Sequence, residues 1–160
     1  MHSRCRRPVN HEALKDLFNK ARKYFTSVGD VWLFFRVAGW ILILPVMLRR
    51  YDLGEMIRRI TPRGATARYD THKLTVFVNW WLNRNVAMFE PTCFRRSLVL
   101  YRFMCESGEP VRIHYGIKNK SEGGDEGHSW LSIDGKPFGL DGESAGDYRE
   151  TFSFPPEGVQ

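Results

Sequence analysis

Two side chains, Cys93 and His128, have the types and positions for nucleophilic chemistry. In "EPTCFRRSLVLYRF", residues 90–103, a cysteine stands where a helical pattern begins, with a proline before it and two arginines after. A thiol there lies at the positive end of the helix dipole, where the thiolate is favoured and first-turn N–H groups can line an anion site. A free cysteine is more often a small buried hydrophobe, so a positioned base is needed to single Cys93 out.

That base comes from "HSWLSI", "DG" and "KPFGLD", residues 128–141. Asp-Gly between two strand-like runs favours a type I′ hairpin turn. With Asp134 and Gly135 in the turn, Ile133 faces Lys136, Ser132 faces Pro137, Leu131 faces Phe138 and, carried further, His128 faces Asp141. Hydrogen-bonded and non-bonded pairs alternate, which puts Pro137 where no N–H is required and makes His128 and Asp141 a closely spaced, non-bonded pair. The carboxylate can then hold the imidazole in one tautomer. Asp134 is excluded as its partner, because six residues of extended chain span about 20 Å. Cys93 as nucleophile, His128 as base and acid, and Asp141 as the orienting acid make up a Cys-His-Asp site if the hairpin packs over the start of the Cys93 helix. The backbone N–H of Cys93 is the natural first oxyanion donor, and Asn79, Trp80 and Trp81 are candidates for a second.

The remaining cysteines and histidines offer less. Cys105, at the far end of the same helix, lacks the favourable dipole and serves as an internal control, and Cys5 lies among arginines on the terminal segment. His2, His11, His72 and His114 read as surface residues, with His114 on the polar face of its strand. Three cysteines without metal-ligand spacing imply no metal or cofactor and reduced thiols. No secretory signal is read at the N-terminus, so the expected location is the cytoplasm.

The elements that must position these groups follow from periodicity. Leu14, Leu17, Phe18 and Ala21 mark an amphipathic helix over 11–25, and Leu53, Met56, Ile57 and Ile60 a short helix that Pro62 stops. Leu74, Phe77, Val78, Trp81 and Leu82 mark another helix behind Asp70 as N-cap. The segment "VWLFFRVAGWILILPVMLRR" is apolar almost all round. Arg36 and Pro45 shorten its uninterrupted run below the roughly 20 residues of a bilayer crossing, so a buried, Pro-kinked helix over 31–48 is expected. Trp32, Trp40 and Arg49-Arg50 leave peripheral membrane contact open. After the helix over 92–105, "VRIHYGIKN" alternates as a strand, "KSEGGDEG" reads as a flexible acidic loop, the hairpin follows, and Thr151–Phe154 is a short strand. The expected fold is α+β in one domain over 1–160: helices through 1–90, then the Cys93 helix with a small antiparallel sheet packed on it over 91–160.

Charge is uneven. Of a net charge of +6, Met1–Met104 holds 19 Lys and Arg against 7 Asp and Glu, and Cys105–Gln160 holds 5 against 11. A solvated basic face accounts for this, and with no RNP, zinc-finger or Walker pattern, nucleic acid is not an expected partner. The long apolar helix and the basic first part together predict poor solubility or self-association.

The residues "PTCFRRSLVLYRF", "GEPVRIHYGI" and "HSW" followed by a "DG" hairpin resemble the transglutaminase-like cysteine proteases of lasso-peptide biosynthesis, the B2 proteins. Their pattern is a T-C-L-x-R-S-L-x-L helix, a G-x-P-A-x-L-x-x-G strand and an H-A-W-V strand ending in D-G. The likeness is specific from Pro91 to about Asp141; Phe94 stands for the usual leucine and Ser129 for the usual alanine. The resemblance implies a papain/transglutaminase-like core and a peptide hydrolase that removes the leader from a ribosomally made precursor peptide through a thioester. It assigns Cys93, His128 and Asp141 the roles above. It also implies a separate PqqD-like leader-recognition protein and an ATP-dependent lasso cyclase as partners. The same triad could transfer its acyl group to an amine, and a non-catalytic scaffold docking precursor and cyclase is the alternative from another class.

Overall fold

The structure, a computed structural model, describes residues 24–83, 93–120, 124–138 and 148–155, with the side chains of 118–120 and 124–126 left aside. The helix expected over 11–25 lies almost wholly outside these residues. Four helices and four strands are described: α1 (Val28–Arg50), α2 (Leu53–Ile60), α3 (Thr71–Leu82), α4 (Cys93–Glu106), β1 (Val111–Lys120), β2 (Gly124–Ile133), β3 (Lys136–Phe138) and β4 (Arg149–Phe154).

Local chemistry sets the helix starts. Ser27 caps α1 in a capping box with Asp30, Asp52 accepts from the N–H of Glu55 at α2, and Asp70 accepts from those of His72 and Lys73 at α3. Each cap satisfies donors that a helix end would leave orphaned. The β-branched residues of α3 do not divert it to a strand, because Leu74, Phe77, Val78 and Leu82 gain burial only at helical spacing.

α1 departs from expectation. It runs unbroken through Pro45 and buries only one face, with Leu33, Val37, Ile41 and Leu44 turned inward and Trp32, Phe35, Leu42 and Val46 exposed. The reason is geometric: α3 and α4 pack against one side of α1, and none of the described residues covers the other. Arg36 is also more than an interruption of apolar sequence. It makes a two-pronged ion pair with Glu106 at the end of α4 (Nη1–Oε1 2.9 Å, Nη2–Oε2 3.0 Å), and Tyr69 bridges both. Arg102 adds a second guanidinium 3.3 Å from Oε2. Burial pushes the Glu106 carboxyl up, but the hydrogen bonds and positive charges from Arg36, Tyr69 and Arg102 outweigh it and hold the carboxyl below its ordinary value.

α4 is the central helix. Six of its apolar and aromatic positions, including Leu98, Tyr101, Phe103 and Met104, are buried between α1 and α3 on one side and the sheet on the other. The sheet is antiparallel, in the order β3-β2-β1-β4. Asp134 and Gly135 both have positive φ (48° and 74°), as a type I′ turn requires. The β2–β3 register is the expected one over Ile133/Lys136, Ser132/Pro137 and Leu131/Phe138. The glycine-rich acidic stretch is not the long loop expected. β1 and β2 pair out to Lys120 and Gly124, because the backbone groups of one strand find ladder partners in the other despite the glycines. β4 pairs with β1 and closes the opposite edge.

Candidate functional site

Strand alternation gives the sheet two faces of different character. Val111, Ile113 and Tyr115 of β1, with Ser129, Leu131 and Ile133 of β2, face α4, and the aliphatic members join its core. Arg112, His114 and Gly116, with His128, Trp130 and Ser132, lie on the other face.

Cys93 is the first residue of α4, half-buried, and lines a cavity of about 640 Å³. The walls come from five elements and the turn between two of them: Leu48 is in the last turn of α1, Tyr51 precedes α2 and Leu53 begins it, Phe94 follows Cys93 in α4, and Tyr115 and Gly127 come from β1 and β2. Tyr115 packs edge-on against Phe94 with ring centroids 5.9 Å apart. Gly127 permits this, since a Cβ there would fall 2.3 Å from the Tyr115 hydroxyl oxygen. α4 is pinned to β2 one turn in from Cys93, where the Ser97 hydroxyl donates to the carbonyl of Ser129 at 3.0 Å.

His128 lies one residue beyond Gly127, on the other face of β2. Its half-buried ring stacks on Tyr148 (4.9 Å, 26°) and on Trp130 (6.3 Å, 14°). The structure thus brings Cys93 beside Gly127 and the end of β2. Among the described residues no hydrogen bond joins Cys93 to His128. Asp141 lies outside the described residues.

On the same face of the sheet as His128 lies a histidine–carboxylate pair that the sequence reading passed over as surface. His114 is mostly buried, with Nδ1 2.6 Å from Glu150 Oε2 and Nε2 2.7 Å from Ser132 Oγ, and its ring lies parallel to Trp130 at 5.4 Å. Burial pushes the Glu150 carboxyl up, but hydrogen bonds from His114 and Ser153 and the charges of His114 and Arg112 bring it below its ordinary value. Gly116 makes the stack possible: a Cβ there would meet Trp130 ring carbons and the Tyr148 Cβ at about 3 Å. The alternation of "VRIHYGI" against "HSW" holds the signal for this cluster, but only once the β1–β2 register is known. Tyr148, from an aperiodic stretch of the tail, gave no signal.

The proposed second oxyanion donors are not among the cavity's lining residues. The Trp81 indole N–H is used in packing α3 on α1, donating to the Phe34 carbonyl at 3.0 Å, and Trp80 and Trp81 stack around Phe34. Cys105, half-buried like Cys93, packs against the core rather than lining the cavity. Burial pushes it up, against the smaller opposing effects of a Tyr101 hydrogen bond and the Arg102 charge.

Comparison with known proteins agrees with this architecture. A family model for the transglutaminase-like superfamily matches residues 31–153, which includes all four helices, the sheet and both Cys93 and His128. No curated protein and no solved structure matches the chain.

Proposed function

The chain belongs to the transglutaminase-like superfamily, whose members are often cysteine-dependent enzymes, and on that premise we propose that it is a cysteine endopeptidase that removes the leader from a ribosomally made lasso precursor peptide. The observation that carries this reading is the cavity at the start of α4, which is lined both by Cys93 and by Gly127, the chain neighbour of His128. The apolar and aromatic walls suit side chains flanking a scissile bond.

In this mechanism the Cys93 thiolate attacks the scissile carbonyl, and the N–H groups of the first turn of α4 face the oxyanion. His128 gives a proton to the departing amine, and the C–N bond breaks to leave a thioester. Water, deprotonated by His128, then attacks the thioester and releases the leader carboxylate and the free thiol. Asp141 orients the imidazole. His128 lies on the face of β2 away from the cavity, so in this reading docking of the peptide and its recognition protein must turn the Gly127–His128 segment to bring the imidazole to the thiol. A PqqD-like recognition protein supplies the leader contact, and an ATP-dependent cyclase takes the released core.

The test is precursor processing by mass spectrometry, with the recognition protein present, in water enriched in ¹⁸O. Incorporation of one ¹⁸O into the new leader carboxylate, lost in both Cys93→Ala and His128→Ala, is the expected result. A leader–amine adduct without ¹⁸O would assign acyl transfer instead, and full processing by Cys93→Ala would assign a scaffold.

A further inference from the structure

The outward face of α1 is the largest feature that catalysis leaves unused. Val28, Trp32, Phe35, Leu42 and Val46 follow one another at helical spacing, with Trp32 68 %, Phe35 60 % and Val46 61 % exposed. From Val28 to Val46 the stripe runs about 27 Å at 1.5 Å per residue. Contiguous apolar surface on this scale marks a contact face in a soluble protein.

By length and composition α1 could cross a membrane, but its inward face is tied to the domain. Arg36 neutralises the buried carboxylate of Glu106, and Asp30 binds Lys73 at 3.1 Å. Drawing α1 into a bilayer would strand Glu106 without its main partner in the core, which is costly. The inward face is therefore fixed, and only the outward stripe is available for contact.

We propose that this stripe lies in the interfacial plane of an anionic lipid bilayer. The charges beside it favour lipid over a second copy of the chain. Arg49 and Arg50 are exposed at its C-terminal end, and the 23 residues that lead into the helix region carry seven Lys and Arg against two Asp and Glu. A basic end beside an apolar stripe matches anionic headgroups at the edge of an acyl layer. A parallel pairing of two such stripes would bring the two Arg49-Arg50 ends together. Trp32, with an apolar ring and a polar N–H, suits the headgroup level. Leu48, two residues beyond Val46, lies on the opposite side of α1 and lines the Cys93 cavity, so the stripe and the cavity occupy different faces of the helix.

The experiment is flotation of the full chain with vesicles of phosphatidylcholine alone or with one third phosphatidylglycerol. Wild type should float with the anionic vesicles, Phe35→Ser/Leu42→Ser should partition at least tenfold less, and Arg49→Gln/Arg50→Gln should lose most of the preference for anionic over neutral vesicles. All of these side chains are exposed and lie outside the cavity, and an unchanged melting temperature in each variant would show that folding is intact. Alkaline carbonate should release the bound protein. Carbonate resistance would overturn the in-plane arrangement in favour of insertion. Flotation unaffected by Phe35→Ser/Leu42→Ser would overturn the role of the stripe, as would a chain that stays with the aqueous phase as a dimer dissociated by those substitutions.

Discussion

The two ends of α4 carry the same residue type in opposite settings. At the first residue, Cys93 opens into a cavity shared by α1, α2 and both long strands, while near the last turn Cys105 is packed against the core beside Tyr101, next to a carboxylate locked by Arg36 and Tyr69. The helix dipole disfavours a thiolate at the second position. Burial acts in the same direction at Cys105. A cysteine's chemical role is set by where on the helix it falls and by what the rest of the fold leaves open there.

The largest effect should come from exchanging the ends. Cys93→Ala should lower precursor processing on the order of 10³-fold or more, and Cys105→Ala should leave it nearly unchanged. Rates of iodoacetamide alkylation at each site, read by peptide mass spectrometry, provide a substrate-free version. Cys93 should react faster than Cys105 in the folded protein, with the difference gone in concentrated urea. Equal rates in the folded state would erase the distinction.

Breaking the closed end should loosen it selectively. Arg36→Met leaves the buried Glu106 carboxylate without its two-pronged partner and should destabilise the protein by about 3 kcal/mol in denaturant unfolding. Arg36→Met/Glu106→Gln should lose less than the sum of the two single changes. Alkylation of Cys105 should rise in Arg36→Met with little change at Cys93. A uniform rise at both ends would mean that the ion pair supports the whole helix.

The open end should be sensitive to filling. Gly127→Val places atoms where the Tyr115 hydroxyl now lies and should slow both alkylation of Cys93 and processing, with a smaller loss of stability. Tyr115→Leu should restore part of the alkylation rate in the Gly127→Val background. If it does not, the cavity wall is not what governs access.

The smallest effect concerns acid. Partial burial raises the Asp30 carboxyl, but hydrogen bonds from Thr26, Lys73 and the Ser27 backbone outweigh it and bring it from 3.8 down to about 2. A depressed carboxyl contributes stability above its unfolded value and loses it as pH falls through its folded one. The melting temperature should therefore drop as pH falls from near 4 to about 2, with a shallower drop in Asp30→Asn. Glu106, also depressed, should make the remaining slope shallower in Glu106→Gln.

Local signals carried the sequence reading a long way. Asp52, Asp70 and Ser27 are caps with short-range partners, the apolar spacings of α2 and α3 depend only on helical period, and Asp134-Gly135 dictates its own turn and the first three pairs of the hairpin. Cys93 at a helix start was legible for the same reason. Contacts between distant segments were not. Which face of α1 is buried depends on the positions of α3 and α4, and the partner of Arg36 lies 70 residues away. The length of the β1–β2 ladder was missed because backbone pairing overrode glycine content.

By itself, then, the sequence determined which residues start helices, where the hairpin turns and which cysteine meets a helix dipole, because each of these depends on neighbours within a few positions. Only the tertiary structure decided that Tyr115 lies across Gly127, that His114 shares a sheet face with His128 and Trp130, and that one apolar face of α1 remains open. Each of those depends on which surfaces meet after the chain has closed on itself, and no local propensity encodes that.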